Sequence, residues 1–384
     1  VYVRLLPETS RTLKEFLLVP GLTTKECLPE SIDLGTGVVR HEVGTPSPIR
    51  IATPLVSAIM QAVSSPTLAI ALARSGGLSF IHQNQPVDDQ AADVRAIKMT
   101  SAQETDTDAS LDSAGRFRVG AGINTRDYRQ RVPALVEAGA DVVCLDSSDG
   151  YSEFQRHALE YVRSEYDTAV FVGAGNVVDA NAFRYLAEAG ADFVKVGIGG
   201  GSICITRDQK GIGRGQATAL MDVVAARDTF AARTGQYVPI CCDGGLLNDY
   251  HMAIALAMGA DFIMLGRYFA RFDEAPSEVF SVNGSPVKEY WGEGSRRARN
   301  AARYGQDDVM VFEEGVDGVV PYVGGLSDTV RLTRAKLRAT LSSCGARTLR
   351  EFHDTAVLTQ VSARSFEENT AQVMVRDGVL TAGA

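Results

Sequence analysis

The chain has 384 residues, and 38 Lys and Arg set against 47 Asp and Glu leave a net charge of −9. With 45% hydrophobic and 22% charged residues it has a globular composition, which excludes a disordered chain, while the acidic balance argues against a nucleic-acid partner that must be met by a basic surface. No run reaches the ~18 apolar residues of a membrane helix, and the opening VYVRLLPETSR lacks the apolar centre of a signal peptide, so a cytoplasmic protein with no membrane partner is expected.

Along the chain, short runs rich in Val and Ile alternate with helical stretches, the pattern of a buried parallel sheet. Strands are predicted over 53–59, 77–82, 116–123, 141–148, 169–175, 192–199, 238–245 and 261–267, with helical segments over 65–76, 88–100, 129–139, 179–190 and 249–259. Eight strands with helices between them predict an α/β fold, a closed (β/α)8 TIM barrel that takes residues 1–384 as a single domain. A doubly wound open sheet is the competitor, but no GxGxxG opens a first strand–helix turn. One phrase recurs: EAGADVVCLD (137–146), EAGADFVKVG (188–197) and AMGADFIMLG (257–266). Each copy ends a helix at Gly139, Gly190 or Gly259, a residue suited to a left-handed cap, and then feeds Ala-Asp into an apolar strand.

Two regions break this rhythm. Residues 101–115, SAQETDTDASLDSAG, are small, polar and acidic and read as a short mobile linker. Residues 271–320 carry no clear period, and a loop of that length is expected to be a functional lid after the eighth strand. The segment 327–345 supplies the eighth helix.

Barrel enzymes place their chemistry at the C-terminal ends of strands. The richest such loop follows the sixth strand, Gly197-Ile-Gly-Gly-Gly-Ser-Ile-Cys-Ile-Thr-Arg207. Its glycines let backbone amides approach an anion, Ser202 adds a hydroxyl, and Cys204 can serve as a nucleophile; a flexible loop with an incidental cysteine is the competing reading. Gly266-Arg267 at the end of strand eight is a second phosphate candidate. Asp243, in Cys242-Asp243-Gly244-Gly245, can accept from sugar hydroxyls or simply shape a turn, and Asp146-Ser147-Ser148 is similar. The five histidines show no HExxH spacing, so a metal hydrolase has little support. The six cysteines form no CxxC pair and read as free thiols of a reducing compartment.

These stretches together carry a family resemblance. Gly199-Gly-Gly-Ser-Ile-Cys-Ile-Thr206 followed by Gly213-Arg-Gly-Gln-Ala217 resembles the catalytic-loop signature of the IMP dehydrogenases. PLVSAIM (54–60), GAGIN (120–124), LDSSDG (145–150), GAGNV (173–177), CDGG (242–245), EYWGEGS (289–295), ARY (302–304) and EEGV (313–316) follow in family order. The related GMP reductases share the barrel and the cysteine loop.

The resemblance implies NAD-dependent oxidation of IMP to XMP, the committed step of guanine nucleotide synthesis, through a covalent adduct of Cys204 with C2 of the purine. Ser202, Gly245, Gly266, Arg267 and Tyr290 would surround the 5′-phosphate and Asp243 would bind the ribose. Ala58 and Met60 would line the nucleotide pocket, with Glu293, Gly294 and Glu314 facing the base. Asp146, Ser147, Ser148 and Asn176 would lie on the nicotinamide side, and the carbonyls of Gly199, Gly201 and Cys204 would ligate K+. Arg303 and Tyr304 would belong to a mobile flap and support hydrolysis, with a Thr206–Glu314 relay as the competing base. A homotetramer is implied. GMP reductase, which uses NADPH and lacks the Arg-Tyr dyad, is the same-fold rival, and a nucleotide-binding protein without catalysis is another. The chain departs from many relatives at Arg267, usually Ser, at Glu314, usually Gln, and at Gln61, usually Asp. It also departs at 101–115, where the family usually inserts a pair of CBS modules.

Overall fold

The strand–helix rhythm is realised as eight parallel strands in a computed structural model that describes residues 3–298, 305–306, 309–310 and 312–368. The strands are β1 (Leu55–Ser57), β2 (Phe80–Ile81), β3 (Gly120–Ile123), β4 (Val142–Asp146), β5 (Phe171–Val177), β6 (Phe193–Val196), β7 (Ile240–Asp243) and β8 (Phe262–Leu265). Each pairs with its sequence neighbour, and β8 pairs with β1 through Ile263–Leu55 and Leu265–Ser57. A parallel bridge between Val56 and Leu78 joins β1 to the approach of β2, so the sheet closes on itself. The predicted barrel is thus formed.

Helices α1 (Pro66–Arg74), α2 (Val87–Met99), α3 (Tyr128–Ala138), α4 (Glu153–Tyr166), α5 (Ala180–Glu188), the short α6 (Thr206–Lys210), α7 (Gln216–Thr234), α8 (Asp249–Ala257), the short α9 (Arg267–Ala270) and α10 (Leu326–Ser343) follow in chain order. Local chemistry starts them: Ser65, Ser152 and Asp179 accept backbone N–H groups at the N-termini of α1, α4 and α5, and Pro66 opens α1. The three repeated glycines terminate α3, α5 and α8 with φ of 93°, 102° and 102°, the left-handed conformation expected of them.

Because side chains alternate along a strand, each strand serves two cores. Val56, Phe80, Val142, Cys144, Phe193, Cys241, Phe262 and Met264 fill the barrel interior, while Leu55, Ile81, Val143, Leu145, Val194, Val196, Ile240, Cys242, Ile263 and Leu265 pack under the helices. Phe193 stands at the centre, with ring centroids 5.9 Å from Phe80 and 5.4 Å from Phe262. Val38, Val39, Ile49 and Ile51, from the segment before β1, join the interior cluster.

The recurring Ala-Asp has a structural meaning. Asp141, Asp192 and Asp261 immediately precede β4, β6 and β8, and each accepts a backbone N–H from the preceding strand or the residue that leads into it: Val119 at 2.8 Å, Val172 at 2.6 Å and Ile240 at 2.7 Å. Each also meets a cation, Lys98 at 2.6 Å, Arg163 at 2.9 Å and Arg227 at 3.1 Å. One device stitches strands together three times at the N-terminal end of the barrel.

Two regions, the start of β3 and residues 271–320, differ from expectation. The strand predicted over 116–123 begins only at Gly120, because Arg116 and Phe117 bridge back to Ser101 and Leu111. Within 101–115 the chain has no helix, and it is tied down by Ser110 N–H to Ala73 O at 2.9 Å and Asp112 to Lys98 at 3.1 Å. Residues 271–320, expected to lack regular structure, contain most of a three-stranded antiparallel sheet: β9 (Val279–Val282), β10 (Ser285–Trp291) and β11 (Asp317–Pro321). Asn283 and Gly284, at φ of 51° and 81°, form the tight turn between β9 and β10. The eighth helix is α10, as predicted to within two residues.

Candidate active site

A cleft of about 1020 Å³, measured to its open mouth, lies at the C-terminal ends of the strands. Every sequence-predicted site residue outside 303–304 lines it: Ala58, Met60, Asp146, Ser147, Ser148, Asn176, Gly199, Gly201, Ser202, Cys204, Thr206, Asp243, Gly245, Gly266, Arg267, Tyr290, Glu293, Gly294 and Glu314. Arg303 and Tyr304 lie outside the described residues.

Strand parity aims the floor of this cleft. In β4, β6 and β7 the interior face continues past Cys144, Phe193 and Cys241 to Asp146, Lys195 and Asp243. Lys195 is 1% exposed, and its Nζ donates to Asp146 Oδ1 at 2.7 Å and to Asp243 Oδ2 at 3.1 Å. Burial opposes the ammonium charge, but the two carboxylates outweigh it and hold the group protonated well beyond its ordinary range. Asp243 Oδ2 also accepts from Asn176 Nδ2 at 2.9 Å, so Oδ1 is left without a protein partner among the described residues. The register shift between β5 and β6 falls at Asn176, and such a bulge re-aims a side chain. Asn176 Oδ1 is a buried acceptor without a partner among the described residues.

The cysteine loop leaves β6 at Gly197, whose φ of 142° belongs to glycine and where a Cβ would collide with the Asp243 carbonyl. Gly245 N donates to Gly200 O at 2.8 Å, joining the two glycine-rich loops. On its other side the loop is zipped to the strand-like segment after the 299–311 region. Cys204 bridges Gly315, Ile205 N donates to Glu314 O at 2.9 Å, and Val316 N donates to Ile203 O at 3.0 Å. Residues more than a hundred positions apart are thereby held in one frame.

Within that frame Cys204 Sγ donates to Thr206 Oγ1 at 3.1 Å, and Thr206 Oγ1 donates to Glu314 Oε2 at 3.0 Å. Thr206 and Glu314 are buried, while Cys204 is the one cysteine of six that is half-buried. Burial drives the thiol of Cys242 up to about 12 and that of Cys241 well above its ordinary value, which leaves both inert. Tyr290, on β10, is buried beside Gly266 and donates to Met60 Sδ at 3.8 Å. Burial raises its phenol pKa against an opposing hydrogen bond with Ser202, so it remains a neutral donor. Glu293 accepts from Gln61 N at 2.6 Å, and Trp291 Nε1 donates to Gln61 Oε1 at 3.3 Å. Gln61 therefore takes part as the acceptor in that second bond.

Three polar groups of the site escaped the sequence reading. Lys195 sits inside an otherwise apolar strand, and only the strand parity betrays it. Lys210 donates to Glu314 Oε1 at 3.2 Å across 104 residues. Gln155, fully buried on α4, accepts from Gly175 N at 3.2 Å and donates to Ser147 Oγ at 2.8 Å, bracing the loop after β4 from behind.

A half-buried thiol wired to a carboxylate shares one cleft with an aspartate that has a spare oxygen and with glycine loops rich in backbone N–H, an arrangement suited to an enzyme built on a barrel. The sequence matches the IMP dehydrogenase / GMP reductase domain over residues 10–372, and the chain belongs to that family. It is 43% identical to the inosine-5′-monophosphate dehydrogenase of Tritrichomonas foetus over 491 aligned positions, covering 97% of this chain and 98% of the relative. It is 30% identical to the enzyme of that name from Cryptosporidium parvum over 392 positions (93% and 94%) and 28% identical to that of Escherichia coli K12 over 477 positions (93% and 94%). The first and third alignments are far longer than this chain, so those relatives carry inserted sequence that it lacks.

Proposed function

We propose that this chain oxidises IMP to XMP with NAD as the electron acceptor and water as the oxygen donor. The observation that supports this most is the Cys204–Thr206–Glu314 chain at 3.1 and 3.0 Å, placed on the same cleft as Asp243. The Cys204 sulfur adds to C2 of the purine as its proton passes through Thr206 to Glu314, which gives it up to solvent before the second half. NAD supplies the hydride acceptor for C2, and the side facing Ser147, Ser148 and the unpartnered Asn176 Oδ1 fits a carboxamide donor. In the second half, water adds to C2 while Thr206 takes its proton and passes its own to Glu314. The C2–sulfur bond then breaks and releases XMP and the thiolate. Asp243 Oδ1 accepts from the ribose, and Ser202, Gly245, Gly266, Arg267 and Tyr290 receive the phosphate.

The same reading assigns Arg303 and Tyr304 to an active-site flap within 271–320, with Arg303 sharing the hydrolytic base role. It assigns K+ to the carbonyls of Gly199, Gly201 and Cys204. A donor set of carbonyl oxygens on a glycine-rich loop suits a hard monovalent ion, and turnover should fall when K+ is replaced by a large organic cation. The active unit is a homotetramer in the cytoplasm.

The deciding experiment mixes the protein with IMP and NAD and follows absorbance of reduced nicotinamide. Signal with IMP supports the dehydrogenase. No signal with IMP, but consumption of NADPH with GMP, assigns the chain to the reductase branch of the family, and neither reaction assigns it to nucleotide binding alone.

A further inference from the structure

We propose that Lys210 is a positioning residue for the Cys204–Thr206–Glu314 chain, gripping the Glu314 carboxylate so that it can accept the proton that Thr206 passes on. This rests on the reading above and extends it to a residue with no role there.

The argument begins with helix geometry. Positions i and i+4 share one helix face, and Thr206 and Lys210 stand in that relation on α6. Both reach the same carboxylate: Thr206 Oγ1 meets Oε2 at 3.0 Å, and Lys210 Nζ meets Oε1 at 3.2 Å and Oε2 at 3.4 Å. Glu314 is 7% exposed, whereas the Lys210 side chain is 30% exposed, so the cation enters from the solvent side and leaves the threonine side clear. The backbone on both sides of the contact is already fixed, since Ile205 N donates to Glu314 O and Glu314 N donates to Gly294 O at 3.0 Å. The remaining freedom is rotation of the carboxylate about its side-chain bonds, and a lysine on both oxygens removes it.

Other charges near the loop are engaged elsewhere. Arg207 donates to Ile198 O at 3.2 Å and to Arg214 O, and the Arg296 guanidinium lies 4.0 Å from Glu313 Oε2. The carboxylate of Glu293 takes Gln61 N. Among the described residues, Lys210 is the one cation paired with Glu314. A carboxylate buried beside a thiol with no compensating charge is costly, and a lysine at this distance supplies the compensation while preserving the acceptor.

The test has an arm that does not depend on turnover. The other five cysteines are buried, so iodoacetamide reads the reactivity of Cys204. In Lys210→Met, alkylation at neutral pH should slow at least about threefold, and kcat for IMP oxidation should fall about tenfold with KM for IMP nearly unchanged. Lys210→Arg should restore both. In a Glu314→Gln background, Lys210→Met should change neither. Unchanged alkylation in Lys210→Met, or an effect that persists undiminished in the Glu314→Gln background, overturns the proposal, the latter because the lysine would then act on the sulfur directly. If the wild-type chain gives no signal with IMP and NAD, the proposed reaction fails, yet the alkylation series still decides the role of Lys210.

Discussion

The two ends of the barrel use the same ingredients to opposite ends. At the N-terminal end Asp141, Asp192 and Asp261 each hold a backbone N–H and a cation, so their charge is consumed within the protein. At the C-terminal end one ammonium, Lys195, is shared between Asp146 and Asp243, and Asp243 keeps an oxygen in reserve. Closed polar groups lock strand register; groups left partly open can take a ligand. The comparison predicts that damage at one end costs activity and damage at the other costs stability.

The largest effect belongs to the C-terminal end. Cys204→Ala should lower turnover by at least about a thousandfold, because the proposed covalent route has no second thiol among the described residues of the cleft. The melting temperature should stay within a degree or two, since the side chain is half-buried in a loop and bridges through its backbone. Titration with IMP should show binding retained; loss of folding in this variant would erase the distinction between the two ends.

Asp261→Ala is the mirror experiment. It leaves Arg227, 2% exposed, without its buried partner, and strips the acceptor from Ile240 N and from the Tyr237 hydroxyl at 2.8 Å. Removing one member of a buried pair costs about 3–5 kcal/mol. Denaturant unfolding should show that loss, while KM for IMP of the folded fraction stays unchanged.

How much of this was legible from sequence differs between the ends in the same way. The barrel could be read because parallel strands buried on both faces are unbroken apolar runs, and because Gly139, Gly190 and Gly259 mark three helix ends identically. The repeated Asp was visible as a pattern, but its function needs the neighbouring strand, which periodicity does not supply. The antiparallel sheet was missed because β9 is exposed along its whole length and shows no alternation, although Asn283-Gly284 carried the hairpin signal. The site motifs were readable as local glycine, cysteine and aspartate clusters. Lys195 was hidden by its apolar neighbours, and Lys210 was invisible because its partner lies 104 residues away.

A group just behind the open end tests whether that end is weaker toward acid. His251 Nδ1 accepts Leu247 N at 3.1 Å and Asn248 N at 3.2 Å, closing the turn that follows Asp243-Gly244-Gly245. Acceptance requires the neutral ring, and burial, aided by Lys14, lowers its pKa from 6.5 to about 4. A depressed histidine pKa means the unfolded chain binds the proton first, so stability is intact above about 6.5 and is lost as pH falls toward 4, by roughly 2 kcal/mol. His251→Asn keeps an acceptor without the titration and should flatten the unfolding midpoint between pH 7 and 5. A midpoint with the same slope in both proteins would assign the acid sensitivity elsewhere.

The smallest effect concerns the 101–115 segment, which is fastened to the closed end by the lysine that also serves Asp141. Asp112 accepts Ala114 N at 2.9 Å, Arg116 N at 3.0 Å and Lys98 Nζ at 3.1 Å. Burial alone would raise its pKa, but the Arg116 N–H and Lys98 outweigh it and bring it down to about 2. For a depressed carboxylate the stabilisation is fully present above the ordinary value of 3.8 and disappears as pH falls through about 2. Asp112→Asn should therefore cost about 1 kcal/mol at pH 7, a discounted figure because the surrounding segment is largely solvated. The gap between variant and wild type should shrink below pH 4 and close near pH 2. Because Lys98 keeps Asp141 in the variant, the strand stitch survives and catalysis is untouched. Hydrogen exchange should quicken only in the 101–116 amides. Faster exchange spreading into β3 and β4 would mean that the segment is part of the stitch and not merely hung from it.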